Sequence, residues 1–296
     1  MGLLGETKPV KKPILGVSLY PEQESMEEIE NYLTMASRYG FTKIFTSMFS
    51  VPGTKEEVFD YFKNFCDLAH KHGMKVSGDC NTAFFKKMGA SESDISIFKE
   101  MGIDIIRMDL PYFDQRDVTL INNPYNITIE LSSCMIQAVR MALENGANPK
   151  NFSTCHNFYP ERYTASDLES IRSVNKELAT LGIPSAVFIS SNEDNTHGPW
   201  PVHDGLPTVE DHRWIPAELQ VRHWIAVGDV DEIIFGNAFA SEEEFKAIDQ
   251  VMNQAYVNIP KLVGHDYLAE LLPHGDVERV PFKVVLDDGV TDLEKE

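Results

Sequence analysis

Short apolar runs, rich in β-branched and aromatic residues, recur along this chain with stretches of helical periodicity between them. Such alternation is typical of repeated βα units. Most of the runs start roughly 23 to 33 residues apart, which leaves room for one strand, one helix and two loops. The eight predicted strands are Ile14–Leu19, Lys43–Ser47, Met74–Asp79, Asp104–Asp109, Ile127–Leu131, Phe152–Asn157, Ser185–Ser190 and Glu232–Asn237.

Capping signals mark the helices between these strands. Ser25–Glu28, Ser91–Asp94 and Ser241–Glu244 each place an acid three residues after a serine, and this spacing predicts a helix start. Glycine precedes a hydrophobic residue at several joins to the next strand, as at Gly102 and Gly182. Glycine adopts the left-handed conformation that commonly follows a helix. The recurrence of this helix-to-strand junction indicates that the chain is built from one repeated βα unit.

Eight βα units predict a (β/α)8 TIM barrel, a fold of about 250 residues. A doubly wound open sheet is the alternative, but its first βα turn often carries a glycine-rich phosphate loop. Here that turn contains Tyr20–Gln23 instead. We therefore expect residues 1–246 to form a barrel domain, and residues 247–296 to form a short C-terminal helix with an irregular tail.

Strand alternation sorts the side chains of the predicted barrel, because residues two apart share a face. Arg107 and Asp109 should point inward on the fourth strand, Glu130 on the fifth, Asp79 on the third and Tyr20 on the first. Chemistry in this fold belongs at the carboxyl ends of the strands. We therefore predict that Asp109 and Glu130 are the catalytic carboxylates at one mouth, with Asp79 as a third candidate.

Paired carboxylates in a cleft indicate an enzyme without fixing its reaction. In glycoside hydrolysis, one carboxyl group protonates the leaving oxygen and the other attacks or activates water. The same groups suit a metal-dependent aldolase or isomerase, in which Asp79, Glu130 and a histidine would be ligands. Both enzyme classes stay open at this point.

Later segments supply candidate binding residues. His156 and Asn157 have opposite parity, so we expect only one of them to face the cavity, beside Tyr159. The long segment after the seventh strand holds His197, Trp200 and Arg213, which are suited to anion contacts and sugar stacking. Its histidine spacings match no zinc motif, so no metal site is expected. Asn237 ends the eighth strand and is a further candidate.

The amino-acid composition limits the classes of molecule that this chain is expected to bind. The 296 residues include 46 Asp and Glu against 26 Lys and Arg, a formal charge of −20, which argues against nucleic acid. No apolar run approaches the roughly 18 residues needed to cross a bilayer. The opening segment lacks the apolar region of a signal peptide. We expect a cytoplasmic protein that binds a small molecule and forms, at most, a homo-oligomer.

Several segments, taken together, resemble the bacterial 6-phospho-N-acetylmuramidase family. They are Gly16–Pro21, Phe45–Ser47, His156–Pro160, Gly205–Glu210 and the pair His212 and Arg213. The resemblance extends over residues 14–245. It implies a cytoplasmic TIM-barrel glycosidase that cleaves 6-phospho-N-acetylmuramyl-N-acetylglucosamine during cell-wall recycling, without a cofactor.

The resemblance also places several site candidates on motif positions, namely Tyr20, Asp79, Asp109, Glu130, His156, Asn157, Tyr159 and Arg213. The chain departs from the family at His197, where relatives commonly have arginine, and relatives carry a C-terminal β domain that is longer than this tail. The leading hypothesis is a glycosidase for a phosphorylated amino-sugar disaccharide. A noncatalytic sugar-phosphate-binding relative is the third hypothesis.

Overall fold

Eight parallel strands close into a barrel, which confirms the predicted (β/α)8 TIM fold. The structure is a computed structural model that describes residues 12–21, 23–48, 51–199 and 204–253, together with two strands at 255–258 and 283–286. The barrel strands are β1 (Ile14–Leu19), β2 (Phe41–Ser47), β3 (Lys75–Cys80), β4 (Ile105–Met108), β5 (Thr128–Ser132), β6 (Phe152–Cys155), β7 (Ser185–Ile189) and β8 (Glu232–Phe235).

Helices follow the strands and cover the barrel. In chain order they are α1 (Met26–Arg38), α2 (Lys55–Lys71), α3 (Thr82–Met88), α4 (Ser96–Met101), α5 (Gln115–Ile121), α6 (Ile136–Glu144), α7 (Leu168–Leu181), α8 (Ala217–Val227) and α9 (Glu242–Asn253). Short 3-10 turns lie at Ser133–Met135, Pro149–Asn151 and Glu210–His212. Every barrel strand is therefore separated from the next by at least one helix.

Local sequence explains most of these boundaries. The capping box at Ser25 is confirmed, and Ser241 caps the backbone of Glu244 in the same way at the start of α9. Gly102 and Gly182 adopt the left-handed conformation at the ends of α4 and α7, as expected. The helix start predicted at Ser91 is wrong: Ser91 pairs with Asp94 in a tight turn, and α4 begins later.

The barrel is closed by β1 pairing with β8, which joins Ile14 to Glu232 and Gly16 to Ile234. Aromatic rings pack outside this seam, where Phe245 of α9 contacts Phe41 at 4.6 Å and Phe235 at 5.8 Å between ring centroids. Burial of these rings fixes α9 against the barrel, since large apolar side chains dominate core stability.

The sequence predicts a C-terminal helix with an irregular tail over residues 247–296, and most of that segment lies outside the described residues. Helix α9 continues to Asn253, and two further strands, β9 (Ala255–Asn258) and β10 (Lys283–Leu286), form an antiparallel pair. The division of the chain at residues 246 and 247 stays a prediction. Within the described residues, no helix has the length and apolar character needed to cross a membrane.

Candidate active site

A cavity of about 310 Å³ opens at the carboxyl ends of the barrel strands. Its polar lining comes from residues at or just after the ends of β1, β2, β3, β4 and β6, and its apolar lining from two phenylalanines and a proline. The lining residues are Tyr20, Phe45, Ser47, Asp79, Arg107, Asp109, Asn157, Phe158, Tyr159 and Pro199. This cavity, called the mouth cavity below, occupies the position at which TIM-barrel enzymes perform their chemistry.

A buried, hydrogen-bonded pair of Arg107 and Asp79 forms the inner polar wall of the mouth cavity. Nη1 of Arg107 donates to Oδ1 of Asp79 at 2.7 Å, and Nη2 donates to Oδ1 of Asn157 at 2.6 Å. Oγ of Ser132 donates to the same Asn157 oxygen at 3.2 Å. Adjacent register explains the contact, because Asp79 on β3 lies beside Arg107 on β4. The guanidinium therefore holds both a carboxylate and an amide in fixed orientations.

The two carboxylates of the mouth cavity have different environments. Asp79 is only 8% exposed, and burial raises the pKa of its carboxyl group, although the Arg107 guanidinium opposes that increase. Asp109 follows the end of β4, is exposed and makes no ion pair with any residue that the structure describes. The two carboxyl groups therefore differ in burial and in pairing.

Aromatic side chains form the rest of the wall. Phe45, Phe158 and Phe188 pack edge to face, with ring centroids 4.9 to 5.9 Å apart. Tyr20 is fully buried, and its hydroxyl donates to the carbonyl oxygen of Gly236 at 2.6 Å, which ties β1 to the end of β8. Tyr159 is half-buried, and burial raises the pKa of its hydroxyl. The mouth cavity therefore has one apolar wall and one charged wall.

Glu130 lies below the mouth cavity, in the barrel core, contrary to the predicted position. It is 0% exposed, and its Oε2 accepts from Nζ of Lys43 at 2.8 Å. The same Lys43 nitrogen lies 2.5 Å from Oε2 of Glu232. Strand parity places Glu130 inward, but it pairs in register with Arg107 and not with Asp109, two residues further on. Its contacts are those of a core ion pair, and its catalytic role stays a prediction.

Only one member of the pair after β6 faces the cavity, as strand alternation predicts. Asn157 lines the mouth cavity, whereas His156 points outward and its Nε2 lies 2.8 Å from Oδ1 of Asn175 on α7. Burial lowers the pKa of His156 to about 4, so the imidazole is neutral at ordinary pH. His156 therefore stabilises the contact between barrel and helix and does not reach the cavity.

Arg213 and Asn237 form hydrogen bonds with loop residues, and their role as substrate contacts stays a prediction. Arg213 is 1% exposed and binds both carboxylate oxygens of Glu210 at 2.7 Å, while its Nη1 donates to the carbonyl oxygen of Tyr159 at 2.9 Å. Asn237 exchanges hydrogen bonds with the backbone of Ser191 at 2.8 and 2.9 Å. The polar atoms of both side chains are hydrogen-bonded to other groups of the protein.

The loop after β7 carries the remaining candidates. Nε2 of His197 lies 2.5 Å from Oε1 of Glu24, and its ring stacks on Phe239 with centroids 5.6 Å apart. It does not line the mouth cavity, although Pro199, two residues later, does. Trp200 lies outside the described residues, so its predicted role in sugar stacking stays a prediction.

Several residues at the site are not among the candidates that the sequence suggests. Phe45 and Ser47 line the mouth cavity from β2, and Lys43 lies on the same inward face below them. A lysine inside an apolar strand was the available signal, because a buried ammonium needs carboxylate partners. Among the described residues, no group of three or more His, Cys, Asp or Glu side chains is arranged to hold a metal ion.

Comparison with known proteins identifies a matching family and several similar structures. A family model described as 6-phospho-N-acetylmuramidase, N-terminal, matches residues 15–250. A search of curated proteins gives no significant match. An uncharacterized B. cereus protein of known structure is 35% identical with a TM-score of 0.72, and the match covers 81% of this chain and 65% of that one.

Two further structures share the fold at lower identity. A conserved Enterococcus faecalis protein with an unknown function is 22% identical over 81% of this chain and 66% of its own, with a TM-score of 0.70. A GH138 enzyme targeting pectin rhamnogalacturonan II is 12% identical over 82% and 39%, with a TM-score of 0.50, and shows the fold alone. The chain spans just under two thirds of the B. cereus and E. faecalis proteins.

The matched region contains all eight barrel strands apart from Ile14, the first residue of β1, and every described residue that lines the mouth cavity. The match is therefore not limited to a fragment of the barrel. The family is named for a glycosidase, and the carboxylate-lined cavity at the strand ends suits that chemistry. On the strength of the match over residues 15–250, the chain belongs to the family of the 6-phospho-N-acetylmuramidase N-terminal domain.

Proposed function

We propose that this chain is a glycoside hydrolase that cleaves a phosphorylated amino-sugar disaccharide, 6-phospho-N-acetylmuramyl-N-acetylglucosamine or a close relative, in cell-wall recycling. The observation that carries the proposal is the mouth cavity, where Asp79 and Asp109 from neighbouring strand ends share one apolar-walled space. Family membership supports the substrate class. Two carboxyl groups across a sugar-sized cleft are the parts that glycoside hydrolysis requires.

The environments of the two carboxyl groups suggest their roles. Burial raises the pKa of Asp79, which favours the protonated form that a general acid needs. As the glycosidic bond breaks, Asp79 would donate its proton to the leaving oxygen. Asp109 is solvent-exposed and would be the second carboxyl group, acting at the anomeric carbon as nucleophile or through a water molecule as base.

Arg107 and Asn157 would orient the acid and the substrate. Arg107 is the single cation among the described lining residues, and its contact with Asp79 fixes the carboxyl group toward the cavity. Because Oδ1 of Asn157 already accepts two hydrogen bonds, its amide N–H groups are left to donate to a sugar oxygen. Tyr20, Phe45 and Phe158 would pack against the apolar faces of the ring.

The direct test is hydrolysis of the purified disaccharide by the full chain. We expect release of N-acetylglucosamine from the phosphorylated disaccharide, with kcat/KM at least a hundredfold lower for the dephosphorylated one. Activity should persist in EDTA, since the proposed chemistry uses carboxyl groups and water alone. Chelation that abolishes turnover, with rescue by a divalent ion, would instead favour the aldolase or isomerase class. Binding of the phosphorylated disaccharide without turnover would favour the noncatalytic alternative.

A further inference from the structure

A second cavity lies beside the mouth cavity, at the ends of β7 and β8. Its volume is about 250 Å³, and polar atoms make up most of its surface. Ser191, Asn192, Glu193, Asp194, Thr196 and Trp214 contribute to its lining. None of these six residues lines the mouth cavity, so the feature is separate from the proposed catalytic carboxylates.

An exposed indole ring distinguishes this second cavity from an ordinary surface hollow. Trp214 is 55% exposed, which is unusual for so large an apolar side chain. The Arg162 guanidinium lies 5.2 Å from the ring centroid, and Nε of Arg162 donates to Oδ1 of Asp204 at 3.0 Å. The Arg162 guanidinium thus lies over the ring, while the Trp214 residue as a whole stays more than half exposed. An exposed aromatic surface next to polar groups is suited to stacking on a sugar ring.

Shared contacts place the two cavities side by side. Nη1 of Arg213 donates to the carbonyl oxygen of Tyr159, which lines the mouth cavity, and also lies 3.5 Å from that of Gly205, which lines the second cavity. Thr196 of the second cavity and Pro199 of the mouth cavity are three residues apart in one loop. Adjacent cavities separated by one loop are arranged to hold successive sugar units of one substrate.

The negative charge of the lining residues favours an uncharged sugar unit in the second cavity. Glu193 and Asp194 are exposed carboxylates on its lining, and no lysine or arginine is among the described lining residues. Such a surface repels a phosphate or a lactyl carboxylate and tolerates an uncharged ring. We propose that the second cavity is a carbohydrate subsite, in which Trp214 stacks on the uncharged N-acetylglucosamine unit. This inference rests on the proposed function for the identity of the disaccharide.

The binding test uses the full chain labelled with 5-fluorotryptophan and followed by fluorine NMR. The Trp214→Phe variant assigns the Trp214 resonance, and the fully buried Trp224 serves as an internal reference. N-acetylglucosamine should shift the Trp214 resonance saturably, and N-acetylglucosamine 6-phosphate should shift it at least tenfold less at equal concentration. No saturable shift with N-acetylglucosamine, or equal shifts with both sugars, would overturn the subsite.

The kinetic test separates the subsite from the catalytic proposal. Trp214→Ala should raise KM for the disaccharide about tenfold with little change in kcat, because stacking holds substrate and transition state equally. Tyr163→Ala is the matched control, since Tyr163 is 89% exposed and lines neither cavity. Disaccharide cleavage with an unchanged KM in Trp214→Ala overturns the subsite alone. A Trp214 shift in a chain that never cleaves the disaccharide overturns the proposed function and supports the sugar site.

Discussion

Two layers of the barrel interior each combine one cation with two carboxylates, yet they differ in how the charges are satisfied. In the core, Lys43 contacts both Glu130 and Glu232 directly, and solvent reaches Lys43 and Glu130 hardly at all. At the mouth, Arg107 contacts Asp79 and an amide, and Asp109 stays exposed without an ion pair among the described residues. Complete pairing indicates support of the fold, whereas incomplete pairing beside a cavity leaves a charge available for chemistry.

The largest expected effect comes from breaking the core layer. Lys43→Met leaves Glu130 buried without its counter-ion, so the free energy of unfolding should fall by about 3–5 kcal/mol. Denaturant titration measures this loss, and the exposed Lys75→Met on the neighbouring strand is the control. A loss below about 1 kcal/mol would mean that the core layer does not support the fold.

Breaking the mouth layer should act on catalysis instead. Asp79→Asn removes the proposed acid, so kcat/KM for the disaccharide should fall at least about a hundredfold, roughly 2.7 kcal/mol in barrier height. An aryl glycoside with a phenolate leaving group, which needs little protonation, should lose much less. Equal losses for both substrates would contradict the acid role.

The pH dependence tests the same acid through its neighbour. A general acid must be protonated, so activity should decline as pH rises through the pKa of Asp79, which burial raises above its usual value. Arg107 opposes that increase, so Arg107→Gln should raise the pKa further and move the basic limb of the kcat/KM profile to higher pH. A limb that stays in place or moves to lower pH would contradict the assignment.

A smaller effect is expected at the rim, where Arg213 organises the loops. Its hydrogen bonds to Glu210 lower the pKa of that carboxyl group to about 2, below the ordinary value of 4.5. Stability from this pair is complete above pH 4.5 and is lost as pH falls toward 2. Glu210→Gln should flatten the decline in unfolding free energy over that window, while exposed Glu169→Gln should leave it unchanged.

Most of the fold could be predicted from the sequence, because strand spacing, capping boxes and left-handed glycines are local signals. Each predicted strand overlaps an observed one, and Ser25 and Gly182 mark helix ends as expected. The helix start predicted at Ser91 was wrong, because Ser91 and Asp94 satisfy each other's backbone groups within a turn. A local motif does not show which of two hydrogen-bonding arrangements the chain adopts.

The sequence predicts which site residues face the inside of the barrel, but not how far along the barrel axis they lie. Alternation predicted that Asp79 and Arg107 face inward, and both line the mouth cavity. For His156 and Asn157 it predicted only that one of the two would face the cavity, without showing which. Glu130 has the same parity, but it is fully buried against Lys43 and is not among the residues that line the mouth cavity. Arg213 was expected at the substrate, yet two of its acceptors are backbone carbonyl groups contributed by other loops, which no local pattern reveals.

We propose that the exposed Asp109 at the mouth acts on the substrate, whereas the buried Glu130 stabilises the barrel. The most direct measurement compares kcat/KM for the disaccharide in Asp109→Asn and Glu130→Gln, each corrected for the folded fraction. Asp109→Asn should lose at least about a hundredfold with unchanged unfolding, and Glu130→Gln should lose stability but less than tenfold in corrected activity. A hundredfold loss in stably folded Glu130→Gln, with Asp109→Asn still active, would contradict the account.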